Sequence, residues 1–182
     1  MTRLHLPDVS LHESWQAAML EFGNEQVHGS GYWHRPEGEQ RDFTAEACKK
    51  FVDQLLSYAD HDQLLPEGMV HCDYYWITEG DHDEVVGFLA FRHELNAFLL
   101  EEGGHIGYSV RPAARQQGHA TRALGLAVRR AAELGLDRVL VTCDDDNLPS
   151  AATIVANGGV LEDARLGKQR YWIDTGLGHS GR

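Results

Sequence analysis

Ile106-Gly-Tyr-Ser-Val-Arg-Pro-Ala-Ala-Arg-Gln-Gln-Gly-His-Ala-Thr121 is the stretch whose reading decides the fold. A short apolar run ends at Val110, a basic, glycine-containing turn follows from Arg115 to Ala120, and an amphipathic helix begins directly after it. A strand that feeds a helix through such a turn points several main-chain N–H groups outward at the helix N-terminus, where an anion is favoured by both hydrogen bonding and the helix dipole. Gly118 lets the backbone approach a ligand closely, Arg115 adds a permanent positive charge, and Ala120 keeps the first helical turn small.

The spacing is neither Gly-x-x-x-x-Gly-Lys-[Ser/Thr] nor Gly-x-Gly-x-x-Gly, which excludes the two commonest nucleotide-phosphate loops. Arg115-Gln-Gln-Gly118-His-Ala120 instead resembles the Arg/Gln-x-x-Gly-x-Gly/Ala signature of the GNAT N-acetyltransferases, and Val110-Arg-Pro112 is similar to that family's exit from the preceding strand. Phe91-Arg-His-Glu-Leu95 followed by Gly104–Pro112 looks closest to its bacterial "predicted acetyltransferase" branch. The resemblance implies acetyl-CoA as co-substrate. Its pyrophosphate would lie on Arg115, Gln116, Gln117, Gly118, His119, Ala120 and Thr121, and its pantetheine arm along a strand that includes Tyr108, Ser109 and Val110. Asn147-Leu-Pro-Ser150 resembles the family's opening of its last helix, which adds Asn147 and Ser150 to the expected cofactor contacts. Both residues also suit helix capping.

The whole chain limits the alternatives. A length of 182 residues suits one domain, which buries roughly 70% of its unfolded surface. The net charge of −12, from 16 basic and 28 acidic residues, argues against a nucleic-acid footprint. No apolar run approaches the ~20 residues that cross a bilayer, and Met1–Asp8 carries no signal-peptide core, so a cytoplasmic protein with no membrane partner is expected. Cys48, Cys72 and Cys143 are odd in number and widely spaced, as buried free thiols would be. The 11 histidines are scattered, and Asp144-Asp-Asp146 lacks a calcium-loop pattern, so no metal is expected.

Hydrophobic periodicity orders the elements. Ser10-Leu-His-Glu13 has capping-box form and opens a helix to Phe22, and Thr44 caps a second helix to about Tyr58 with Ala47, Phe51, Leu55 and Tyr58 on its apolar stripe. Between them, residues 23–42 form a long loop that includes Pro36 and Gly38. Strands are predicted at Met69–Ile77, Glu84–Arg92, His105–Val110, Arg138–Cys143, Val160–Ala164 and Gln169–Ile173. The helix after the signature runs to Leu134 on a face of Ala120, Leu124, Ala127, Val128, Ala131 and Leu134, and a short helix spans Ser150–Ala156. The expected fold is α/β, a mixed central sheet with helices on both faces in one 1–182 domain. Residues 1–67 supply the acceptor side, 68–173 the core that matches the GNAT order, and 174–182 a loose tail.

Acetyl transfer to an amine needs a polarised thioester, a neutral amine and a proton for the departing thiolate. Glu101, Glu102 and His105 are the local candidates for the base. An unperturbed histidine, with a pKa of about 6.5, accepts a proton at neutral pH unaided, whereas a glutamate needs burial or a relaying water. The chain departs from the family at the acid: the tyrosine expected seven residues after Asn147 is Ile154. Tyr108, Tyr171 or water is left to donate. Tyr74, Tyr75 and Trp76 sit where some of them can line the acceptor pocket, since alternate residues of a strand face opposite sides. The expected function is therefore acetyl transfer from acetyl-CoA to a primary amine on a small molecule or peptide, in a monomer or a homodimer. The rival readings are a different acyl-CoA on the same fold and a non-catalytic CoA-binding module.

Overall fold

The computed structural model describes residues 1–32 and 41–177. Pro36, Gly38 and the end of the tail from 178 lie outside the described residues. Glu84-Val-Val-Gly-Phe-Leu-Ala-Phe-Arg92 is nearly all apolar because it is the strand with a layer on each face. It is strand β3 (Glu84–Arg92), whose residues from Val85 to Phe91 are all buried. β2 (Cys72–Glu79) pairs with it antiparallel, with a register shift at Ile77/Thr78, and β4 (Ile106–Val110) pairs with its other edge from Phe91↔Ile106 to Gly87↔Val110. β1 (Arg3–His5) adds a fourth strand through Leu4↔Ile77. It was not expected: three residues ending near Pro7 carry no period to read. The sheet thus draws on the N-terminal segment that the sequence assigned to the acceptor side.

A second antiparallel sheet has the order β5-β7-β6, from β5 (Arg138–Asp144), β6 (Val160–Arg165) and β7 (Lys168–Asp174). Helix α3 (His119–Glu133) covers one face of the assembly, with Ala123, Leu124, Ala127 and Ala131 packed against Leu89, Phe91, Ile106, Val139 and Val141. Its buried stripe begins at His119 and Ala123, while Leu134 is exposed, so the contact face is rotated slightly from the predicted one. On the opposite face, α1 (His12–Phe22) and α2 (Ala45–Ser57) enclose Trp15, Met19, Cys48, Val52, Trp76 and Phe88. Trp15 and Trp76 stack at 6.2 Å between ring centroids. Burial of such aromatic rings contributes strongly to packing on this side.

Caps account for most of the helix boundaries. Thr44 accepts from the Ala47 N–H at 3.3 Å and starts α2 as read. α1 starts differently. Asp8 accepts from the Ser10 N–H at 2.7 Å and caps a 3-10 turn at Val9–Leu11 that runs into the helix. Asp8 therefore takes the capping position that the Ser10–Glu13 pattern suggested for Ser10. The last helix, α4 (Leu148–Ala156), begins two residues earlier than predicted, because Asn147 caps it and Pro149 suits its first turn.

Candidate functional site

The turn between β4 and α3 has the geometry of an anion cradle. After a 3-10 turn at Pro112–Ala114, Gln116 adopts φ 62° and Gly118 φ 80°, the latter as the residue capping α3. The helical ladder begins with the Arg122 N–H donating to the Gly118 carbonyl at 3.1 Å, so the N–H groups of His119, Ala120 and Thr121 precede it. A Cβ on Gly118 would lie 2.8 Å from the Arg122 guanidinium, which closes over the cradle. Arg122 is held there by Thr2 Oγ1 at 2.8 Å and the Gln117 carbonyl at 2.5 Å.

Two of the expected contacts have other work for their side chains. Arg115 donates from Nε to the Val110 carbonyl at 3.0 Å and pairs with Glu25 at 2.5 Å, which braces the strand exit against the N-terminal loop. The His119 ring is buried, 3.0 Å from Thr2 Oγ1 and 2.6 Å from Glu79, so only its main chain faces the helix end. Arg122 was not among the expected residues. It is the cation that the fold does place at the cradle.

β4 and β5 meet at one point and then part. His105 forms that point. Its N–H donates to the Leu140 carbonyl at 2.7 Å, and its Nδ1 accepts from the Leu140 N–H at 2.9 Å. The ring is buried, and that burial, aided by the nearby Arg92, pushes its pKa down to about 4. A neutral ring whose Nδ1 lone pair is already used carries its proton on Nε2 and has no lone pair left to take one from an amine. The geometry makes His105 a clasp, in place of the base expected from its position. Gly104 lies beside the clasp because only glycine fits: φ is 64°, and a Cβ would come 2.7 Å from the Leu140 carbonyl oxygen. The Glu101–Gly104 turn belongs to a π-helical turn at Leu99–Gly103, closed by Gly104 N–H to the Leu99 carbonyl at 2.6 Å.

Past the clasp the facing edges of β4 and β5 belong to separate sheets, and α4 starts above the gap. The Tyr108 hydroxyl lies 2.9 Å from Ser150 Oγ across it. Asn147 Oδ1 accepts from the Ser150 N–H at 3.1 Å, so the capping reading of Asn147 holds in the geometry. Burial, with Cys143 nearby, pushes the Tyr108 hydroxyl up to about 12 against the opposing hydrogen bond from Ser150. Ile154, at the family's tyrosine position, is fully buried in the core.

A cavity of about 590 Å³ opens from this gap toward the N-terminal loop. Its wall includes Arg92, Glu102, Tyr108, Asn147, Ser150 and Lys168. Of the three aromatic residues in β2, Tyr74 lines it, Trp76 is buried under α1, and Tyr75 is on the other face bonded to Asp73. Glu101 points elsewhere, to Arg165 at 3.2 Å. His93 sits 3.0 Å from Asp73 and 3.0 Å from His61, outside the cavity wall. Arg92, His28 and the Lys168–Asp144 pair were not anticipated. They come from three distant segments, and only the glycine-rich loop before residue 32 gave any local signal.

The site thus combines main-chain N–H groups at the start of α3, an unpaired edge of β4 and a cavity walled by Tyr108 and Ser150. The chain belongs to the GNAT acetyltransferase family, whose description, "Acetyltransferase (GNAT) family", matches residues 37–156. No curated protein matches it in sequence. Among solved structures it is similar to the microcin C7 self-immunity acetyltransferase MccE, in complex with acetyl-CoA and AMP, with a TM-score of 0.65 at 15% identity over 95% of this chain and 92% of that one. It is also similar to RimL, a ribosomal L7/L12 α-N-protein acetyltransferase in complex with coenzyme A, with a TM-score of 0.63 at 18% identity over 97% and 95%. A ribosomal-protein-S5-alanine acetyltransferase from Vibrio fischeri gives a TM-score of 0.63 at 17% identity over 94% and 90%. Identities this low show a shared fold. Among the described residues no helix is long and apolar enough to cross a membrane, and no group of three or more His, Cys, Asp or Glu side chains could hold a metal ion.

Proposed function

We propose that the chain transfers the acetyl group of acetyl-CoA directly to a primary amine bound in the cavity. The observation that carries this reading is the unpaired edge of β4, which runs between the turn at the start of α3 and the Tyr108–Ser150 pair at the cavity wall. Family membership and neighbours solved with acetyl-CoA or CoA support the co-substrate. The residues fit it. The N–H groups of His119, Ala120 and Thr121, with Arg122, would hold the pyrophosphate, and the open edge of β4 from Gly107 to Val110 would take the amide-bearing arm. Bound there, acetyl-CoA supplies an activated thioester.

The remaining steps belong to the chain. Tyr108 keeps its proton throughout the physiological range and can give it to the leaving sulfur, with Ser150 orienting the hydroxyl. This supplies from a strand the acid that the family's last helix lacks here. Glu102 lines the cavity and takes the proton of the incoming ammonium, directly or through water. His105 acts by holding the apex of the cleft. The acceptor is a small-molecule or peptide amine; the neighbours include proteins named for ribosomal-protein substrates and one named for microcin immunity.

The test is CoA release from acetyl-CoA across a panel of amines. Amine-dependent release that falls at least 100-fold in Tyr108→Phe, with acetyl-CoA affinity retained, is expected for loss of a general acid. Acetyl-CoA binding with no release on any amine would favour the non-catalytic reading.

A further inference from the structure

We infer that the amine acceptor also carries an anionic group, a carboxylate or phosphate, bound by Arg92. The inference rests on the cavity being the acceptor site. Its argument is a charge inventory of that cavity. The chain as a whole is acidic, at −12, yet the cavity wall is not. Asp144 is neutralised there by Lys168, which bonds it directly. Arg41 also lines it, with Nη1 donating to the Gly23 carbonyl at 2.7 Å. Glu102 and Arg92 face the same space, and neither has an ion-pair partner of opposite charge among the described residues. Arg92 is anchored by one nitrogen only, with Nη1 donating to the Gly103 and Gly104 carbonyls, each at 3.2 Å. Its other guanidinium donors have no hydrogen-bond partner among the described residues.

A guanidinium with donors unspent on the protein can take a ligand, and its planar fork suits two oxygens of one anion. The local backbone keeps the fork accessible. Gly107 on β4 lies opposite, and a Cβ there would rest 3.7 Å from Nη1 and 3.9 Å from Nη2. Its φ is not in the left-handed region, so conformation does not require a glycine at this position. The missing side chain leaves room against the guanidinium. His28 overhangs the same space from the N-terminal loop. Burial lowers its pKa, and the positive charges of Lys168 and Arg92 add to the effect against the opposing Asp144. Lys168 and Arg92 thus both bring positive charge to this space.

Small acceptors that carry both groups include α- and β-amino acids and aminoalkyl phosphates. Glu102 would meet the ammonium and Arg92 the anion of one zwitterion.

The experiment compares matched pairs: α- and β-amino acids against their carboxamides, and aminoalkyl phosphates against the parent amino alcohols. CoA release is followed for each pair, and thermal unfolding with CoA present reports binding independently of turnover. The expected result is a kcat/KM ratio of about 10- to 100-fold in favour of the anionic member, the size of a charge-assisted hydrogen bond gained or lost. The carboxylate and phosphate arms identify which anion is used. Arg92→Gln should bring the ratio to about one, and Arg92→Lys should restore part of it. A wild-type ratio near one, a ratio unchanged in Arg92→Gln, or no anion-dependent binding in the unfolding assay would overturn the inference. Anion-selective binding without CoA release would leave it standing and count against the acetyl-transfer reading alone.

Discussion

The cradle at the start of α3 and the cavity behind the cleft lie at the two ends of one proposed ligand path, but they are built in opposite ways. The proposed cradle is one contiguous stretch, residues 115–121, and would act through main-chain N–H groups beside two positive-φ residues. The cavity draws side chains from the N-terminal loop, the end of β3, the π-helical turn, β4, α4 and β7. A main-chain site leaves a sequence signature in its glycines and spacing. A side-chain site assembled over 140 residues leaves none until the fold is closed. The same contrast predicts how each responds to mutation: the cradle should be sensitive to backbone change, and the cavity to single functional groups.

The largest effect tests the cavity end. Tyr108→Phe should lower turnover by about 10²- to 10⁴-fold while acetyl-CoA affinity stays within a few-fold of wild type. Equal losses in turnover and affinity would instead make the residue part of the cleft wall. Next is the clasp between the two regions. Gly104→Ala places a side chain in a left-handed backbone and against the Leu140 carbonyl, and should cost about 1–3 kcal/mol, seen as a lower unfolding midpoint.

The His105 clasp also has a pH signature. Its pKa in the fold is about 4, below the value of about 6.5 for an unfolded histidine, so between those values the unfolded chain binds the extra proton and the fold does not. Stability from this group is complete above about pH 6.5 and is lost as pH falls toward 4. His105→Gln should flatten that part of the stability–pH curve without removing the limb of the pH–rate profile near neutrality. If the limb vanished with the ring, His105 would return as the base. The smallest effect concerns the cradle's edge. Arg115→Ala breaks an exposed pair with Glu25 and should cost less than about 1 kcal/mol, with acetyl-CoA affinity changed only a few-fold. A loss near 100-fold would show that Arg115 swings to the pyrophosphate.

These contrasts explain what the sequence made legible. β3 was read to the residue because strong apolar runs bounded by charge are unambiguous, and α2 because Thr44 is both a good cap and the start of a stripe. The turn proposed as the cradle was legible from Gly118 and its neighbours, and Gly118 does take a positive φ at the start of α3. The side-chain assignments within it were less so. A spacing argument places Arg115 and His119 next to a phosphate, but cannot see that Glu25 and Thr2 compete for them. His105 was read from its unperturbed pKa, while the shift comes from burial and the nearby Arg92, and its Nδ1 is taken by Leu140, 35 residues away. Arg92 had no local signal. An arginine ending a strand is ordinary until Gly107 and the π-helical turn are placed around it.

The central claim is that the α3 cradle binds the pyrophosphate of acetyl-CoA, and thermal unfolding of wild type and Gly118→Glu with and without acetyl-CoA tests it most directly. Wild type should gain about 2.7 kcal/mol at a hundredfold excess over the dissociation constant. Gly118→Glu, whose carboxylate would fill and repel the site, should unfold at a lower temperature on its own and gain nothing from the ligand. An equal gain in both proteins, or none in wild type at millimolar acetyl-CoA, would contradict the account.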